Sequence, residues 1–129
     1  MRPASLAEVA RRAHDGDSFD RCLANFLDEF NVTQDAAGLA DEPMLLGPKF
    51  GDIGRVQDAY LAATAEELMR RIKLPAPAWP AWIEGEERRL HKPWFASSLA
   101  ALRAVLLLES PAGFRARNLF VSENALSRV

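Results

Sequence analysis

At 129 residues the chain has room for one domain, and 16 basic against 18 acidic side chains leave a net charge of -2. With 49% hydrophobic and 26% charged residues the composition is that of an ordinary globular protein, which excludes disorder, collagen and a surface built as electrostatic glue for nucleic acid. One cysteine, Cys22, excludes an intrachain disulfide and a zinc site built on thiolates.

The first residues lack the apolar stretch of a secretory signal, and the apolar run Ala104 to Leu108 is far too short to span a membrane. The expectation is a cytoplasmic protein without membrane contact. Alanine and leucine supply 22 and 17 residues, whereas Val, Ile and Thr together supply 11, so the expected class is all-α. The architecture expected is a single domain over 1–129, a bundle of about five helices with a long irregular crossover and an extended segment rich in Pro and Trp.

In chain order, Ser5-Leu6-Ala7-Glu8 fits a capping box and opens a short helix to about Ala13. His14-Asp15-Gly16-Asp17 ends it. Asp17 or Ser18 caps a second helix, in which Phe19, Leu23, Phe26, Leu27 and Phe30 recur at helical spacing as a core face. From Asn31 to Gly54 the periodicity fails, and a loop or crossover is expected, pinned by Met44, Leu45, Leu46 and Phe50. Arg55 to Lys73 reads as a strong helix, with Val56, Tyr60, Leu61, Ala65, Leu68 and Ile72 in one stripe, and Pro75 ends it.

Residues 74–97 form a Pro/aromatic-rich connection. Its alternating prolines, Pro75, Pro77 and Pro80, favour an extended polyproline path displaying Trp79 and Trp82. Glu84 to Leu90 is charged and predicts a short exposed helix, and Pro93-Trp94-Phe95 repeats the aromatic theme. Ser97 or Ser98 caps a helix to about Glu109 whose leucines predict a central, buried position. Ser110-Pro111 reads as an N-cap and first helical residue, Asn118 as a left-handed stop, and Leu119-Phe120-Val121 as a lone strand before a last turn at Ser122-Glu123.

Chemistry is sparse. No motif for a metalloprotease, a serine nucleophile or a phosphate loop occurs, and His14 with Asp15 and Asp17 reads as helix capping more readily than as a metal site. His91 reads as a loop residue. No metal and no cofactor is expected, and catalysis would require carboxylates converging from different helices. Leu6 to Ala13 is similar to the first helix of bacterial helix-turn-helix domains, but His14-Asp15-Gly16-Asp17-Ser18 replaces their tight turn. Residues 1–54 carry five basic and ten acidic side chains, the wrong sign for phosphate, so nucleic acid falls to the second half, where Arg115, Arg117 and Arg128 are the candidates. Ion pairs with Glu109 and Glu123 are the plainer reading of those arginines.

Leu74-Pro75-x-Pro77-x-Trp79, Pro93-Trp94-Phe95 and Leu108-Glu109-Ser110-Pro111-x-x-Phe114-Arg115-x-Arg117-Asn118-Leu119-Phe120-Val121-Ser122 resemble a family of small uncharacterised bacterial proteins, and Phe26-Leu27-Asp28-Glu29-Phe30 fits it too. The resemblance implies an antitoxin-like or regulatory partner of a neighbouring nucleotidyltransferase-like toxin, and it carries over no catalytic residue. The function expected is therefore a non-catalytic protein-binding module, with Trp79, Trp82, Trp94, Arg115, Arg117 and Phe120 at the partner surface and a homodimer as a further form. The alternatives are a DNA-binding transcriptional regulator and an enzyme of unrecognised type.

Overall fold

The structure, a computed structural model, describes residues 2–97, 100–123 and 125–126. The expectations placed on Ser98, Leu99 and Arg128 fall outside the described residues. The fold is helical, with a two-residue pair of parallel strands. Helices α1 (Leu6–His14) and α2 (Phe19–Thr33) pack against each other, and the loop after them returns through a 3₁₀ turn at Ala36–Leu39. The short helix α3 (Gly47–Phe50) leads into α4 (Asp52–Arg71). Three 3₁₀ turns follow, then β1 (Trp94–Phe95), α5 (Ala100–Glu109), α6 (Ala112–Arg115) and β2 (Leu119–Phe120).

The caps form as the sequence dictates. Ser5 Oγ accepts from the Glu8 N–H at 3.1 Å, and Ser18 Oγ accepts from the Arg21 N–H at 3.2 Å, each satisfying a donor the helix itself leaves free. Asn118 takes the left-handed conformation with φ 61°, ending the last helical turn as expected. The crossover at 31–54 is better organised than its broken periodicity implies. It contains a 3₁₀ turn and α3, and it buries Leu39 and Leu46, while Met44 and Phe50 stay exposed.

The middle of the molecule is α4. Among its buried residues are Ala59, Leu61, Ala62, Ala63, Ala65, Leu68 and Met69, and it packs on α3, α6 and the turns at 81–88. Its alanines carry little volume, so neighbours approach on several sides at close range. Gly54 permits the closest approach, since a Cβ there would lie 2.3 Å from the Leu46 carbonyl oxygen.

Three expectations are corrected. The helix expected to run to about Glu109 is not central: among its described side chains Leu106 alone is buried, with α5 against β2, while Leu102, Val105 and Leu107 are about half exposed and Leu108 is 84% exposed. Greasiness nominates a helix for burial, but α5 is the crossover of a β–α–β unit and lies over the Phe95–Phe120 face of the strand pair, with its far side uncovered. The proline segment is not a continuous extended path, because Ala76–Ala78 and Ala81–Glu84 close into 3₁₀ turns. Glu84 to Leu90 is not an exposed helix either, since it forms 3₁₀ turns and carries the fully buried Arg88.

The strand at 119–121 has a partner. Leu119 pairs with Trp94 and Phe120 with Phe95. Alternation along the pair sends Trp94 and Leu119 towards the body of the protein, while Phe95 and Phe120 stack on the other face at 5.0 Å beneath Arg103 of α5.

Candidate functional site

Two kinds of place stand out around α4, one built on charge and one on apolar surface. On the charged side, Arg88 is fully buried. Its guanidinium donates to the Pro43 carbonyl at 2.5 Å, lies 3.8 Å from the Asp58 carboxylate and sits 5.1 Å from the centre of the Trp82 ring. Asp58 in turn accepts from the Leu46 and Gly47 N–H groups at 2.7 and 3.0 Å. Burial pushes the Asp58 carboxyl up from its ordinary range, opposed by those two hydrogen bonds and by Arg88, and burial pushes Arg88 down. The pair ties the 42–47 loop to α4.

Arg117 does the equivalent at the other end of the core. It donates to the Gly113 carbonyl at 2.8 Å and the Ile83 carbonyl at 2.9 Å, and it lies 3.3 Å from Glu66. Glu66 also meets Arg70 at 3.1 Å. These arginines satisfy backbone carbonyls from separate segments, as the planar guanidinium fork does well. Ser110, expected as an N-cap, is turned inward instead: its hydroxyl donates to Leu119 and accepts from the Val121 N–H, fixing the end of β2.

On the apolar side, a groove of about 750 Å³ opens between α2 and α4, with the ends of the strand pair as its third wall. Phe19, Leu23, Ala24 and Leu27 come from α2, and Ile53, Val56, Gln57 and Tyr60 from α4. Trp94, Ala96, Val121 and Ala125 complete the apolar lining, and Asp20, Asp52 and Ser122 add polar groups. The groove exists because α2 packs mainly on α1 whereas α4 packs mainly on α3, α6 and the 81–88 turns, so the two helices diverge along this wall. Tyr60 holds its base, edge-on to Phe19 at 6.4 Å and to Phe114 at 5.0 Å. Burial, reinforced by the Asp20 charge, pushes the Tyr60 phenol up to about 12, so it stays a neutral hydroxyl at physiological pH.

Of the residues expected at a partner surface, the groove takes Trp94 alone. Trp79 is half-buried, donating its indole N–H to the Leu74 carbonyl at 2.8 Å with Arg70 over its ring. Trp82 is buried and donates to the Leu39 carbonyl at 3.3 Å. Arg117 is 2% exposed and its charge faces Glu66, not Glu109 or Glu123, so the surface role expected for it and for Trp82 is corrected to an internal one. Arg115 is exposed, and Phe120 is partly covered by its stack on Phe95.

Of the groove residues, Phe19, Leu23, Leu27, Val56 and Tyr60 read in the sequence as plain core, while Ile53 fell in the expected crossover. The signal was present in the width of the stripe: Ile53, Val56 and Tyr60 add an apolar flank to a helix already buried through Leu61, Ala65 and Leu68. Among the described residues no three His, Cys, Asp or Glu side chains are arranged to hold a metal ion. His14 lies beside Asp15 at 3.4 Å on the surface, and Cys22 is buried with its thiol pushed up by burial and by Asp17. No described helix is long and apolar enough to cross a membrane. Comparison with protein-family models, with curated proteins and with solved structures finds no match.

Proposed function

We propose that the chain is a non-catalytic protein-binding module and that the groove between α2 and α4 receives an apolar segment of its partner. The observation that carries this reading is the groove itself: an open apolar trough with an aromatic wall at Trp94 and a neutral hydroxyl at Tyr60. Troughs of this kind accept an amphipathic helix, whose apolar side chains supply the affinity while polar groups at the rim set register. The resemblance in the PxPxW, PWF and 108–122 motifs supplies the partner class, a nucleotidyltransferase-like toxin held in check by an antitoxin-like or regulatory protein. Such a protein inhibits by covering its target. Burial of Arg117 removes one of the cations on which the DNA-binding alternative rests.

The test is co-expression of the tagged chain with a nucleotidyltransferase-like protein encoded beside it. A complex that survives gel filtration, and that is lost with Ile53→Glu, is the expected result, since Ile53 lines the groove and at 70% exposure its replacement should cost the fold little. Absence of a complex, or a complex indifferent to Ile53→Glu, contradicts the proposal.

A further inference from the structure

The trough between α2 and α4 is apolar along its floor and acidic at its rim. Asp20 stands in the first turn of α2 and Asp52 in the first turn of α4, so each helical wall brings one carboxylate, and no cation belongs to the lining. Both acids suit a helix N-terminus, and both also stand where a bound segment would pass. The basic side chains of the neighbouring elements are already engaged. Arg21 of α2 pairs with Asp17, Lys49 of α3 donates to the His14 carbonyl, and Arg55 of α4 reaches Asp52 only at 3.9 Å, with both side chains in solvent. Asp20 has no cationic partner among the described residues.

The negative charge is felt inside the trough. Asp20 adds to burial in pushing up the Tyr60 phenol, so its field reaches the floor. Gln57, on the α4 wall, has its side-chain oxygen buried without a hydrogen-bond donor. What the trough lacks is positive charge. We infer that the segment it receives is a basic amphipathic helix, with its apolar face laid between α2 and α4 and a lysine or arginine on each flank, one at Asp20 and one at Asp52. A cation on each side of an apolar stripe meets one carboxylate on each wall, which fixes the register of the helix and turns away acidic segments of the same hydrophobicity. This rests on the reading of the groove as a helix receptor and adds to it the sign of the charge its occupant carries. Both carboxylates are exposed, so the pairs set selectivity while the apolar contact supplies the affinity.

A display library of helical peptides of about 15 residues, apolar at i, i+3, i+4 and i+7 and randomised among Lys, Gln and Glu on both flanks, tests it when selected on the full chain. The recovered peptides are expected to carry Lys on the flanks. Made synthetically, they should bind about tenfold more tightly than their Glu-flanked counterparts at about 20 mM salt, a preference that shrinks towards unity at about 500 mM. Asp20→Asn with Asp52→Asn, both at exposed positions, should abolish the preference for Lys while a Gln-flanked peptide binds as before. Ile53→Glu should lose the Gln-flanked peptide, which places binding in the groove. Peptides recovered without charge preference, yet lost with Ile53→Glu, overturn the basic occupant and leave the groove reading standing. A preference for Lys that survives the double Asn variant also overturns the inference. Recovery of no peptide, or of peptides indifferent to Ile53→Glu, overturns both readings.

Discussion

The two sides of α4 invert the usual arrangement of side chains. On one side Arg88, Asp58, Arg117 and Glu66 are buried, while on the other Ile53 is exposed beside the groove, and away from α4 Leu108 projects from α5. The buried arginines are there because a loop, a 3₁₀ turn and the one-turn helix α6 deliver backbone carbonyls that need a donor: Pro43, Ile83 and Gly113 each find a guanidinium. The exposed aliphatics have no such internal account. Charge inside closes this fold, and apolar surface is left outside.

The largest effect should come from breaking the closed side. Asp58→Ala leaves the buried Arg88 with only the exposed Glu42 carboxylate at 4.0 Å as counter-charge and the Leu46 and Gly47 N–H groups without their acceptor, so a loss of about 3–5 kcal/mol is expected in denaturant unfolding. Leu61→Ala, in the middle of α4, should cost about 2–5 kcal/mol. Leu106→Ala sharpens the comparison within one helix. Its site is 8% exposed on an otherwise peripheral element, and a loss of about 2 kcal/mol, at the lower end of the same range, is expected.

Tyr60 gives a pH signature at the junction of the two sides. Its phenol titrates at 10.0 when unperturbed and at about 12 in the fold, so the folded state holds its proton to higher pH than the unfolded chain does. The stabilisation is complete below pH 10 and disappears as pH rises through about 12. Tyr60 is the only tyrosine, so phenolate absorbance reports it without competition, and Tyr60→Phe should flatten that part of the stability curve. The smallest effect belongs to the open side: Leu108→Ala should change the stability of the dilute protein by less than about 0.5 kcal/mol.

How much of this was legible in the sequence follows the same division. Helices α1, α2 and α4 were readable because caps at Ser5 and Ser18 and apolar spacing are local signals. The inward role of Arg88 and Arg117 was not, because a charged residue defaults to the surface until the fold supplies a carbonyl from 34 or 45 positions away. Position in the bundle was misread at α5 for a related reason: hydrophobicity says which residues prefer burial, while crossover topology decides which of them obtain it. Leu119-Phe120 was visible as a strand, but its pairing with Trp94-Phe95 spans a whole helical crossover. The groove left no motif at all, since it is the space between two helices whose main partners lie elsewhere.

Amide hydrogen exchange on the complex with the proposed nucleotidyltransferase-like partner tests the division most directly. New protection should fall along the groove, at Asp20 to Leu27 of α2, at Ile53 to Gln57 of α4 and around Trp94, with the amides near Arg88 and Arg117 unchanged. Protection gathered around Arg88 and Arg117, with the groove exchanging as in the free protein, would contradict the account.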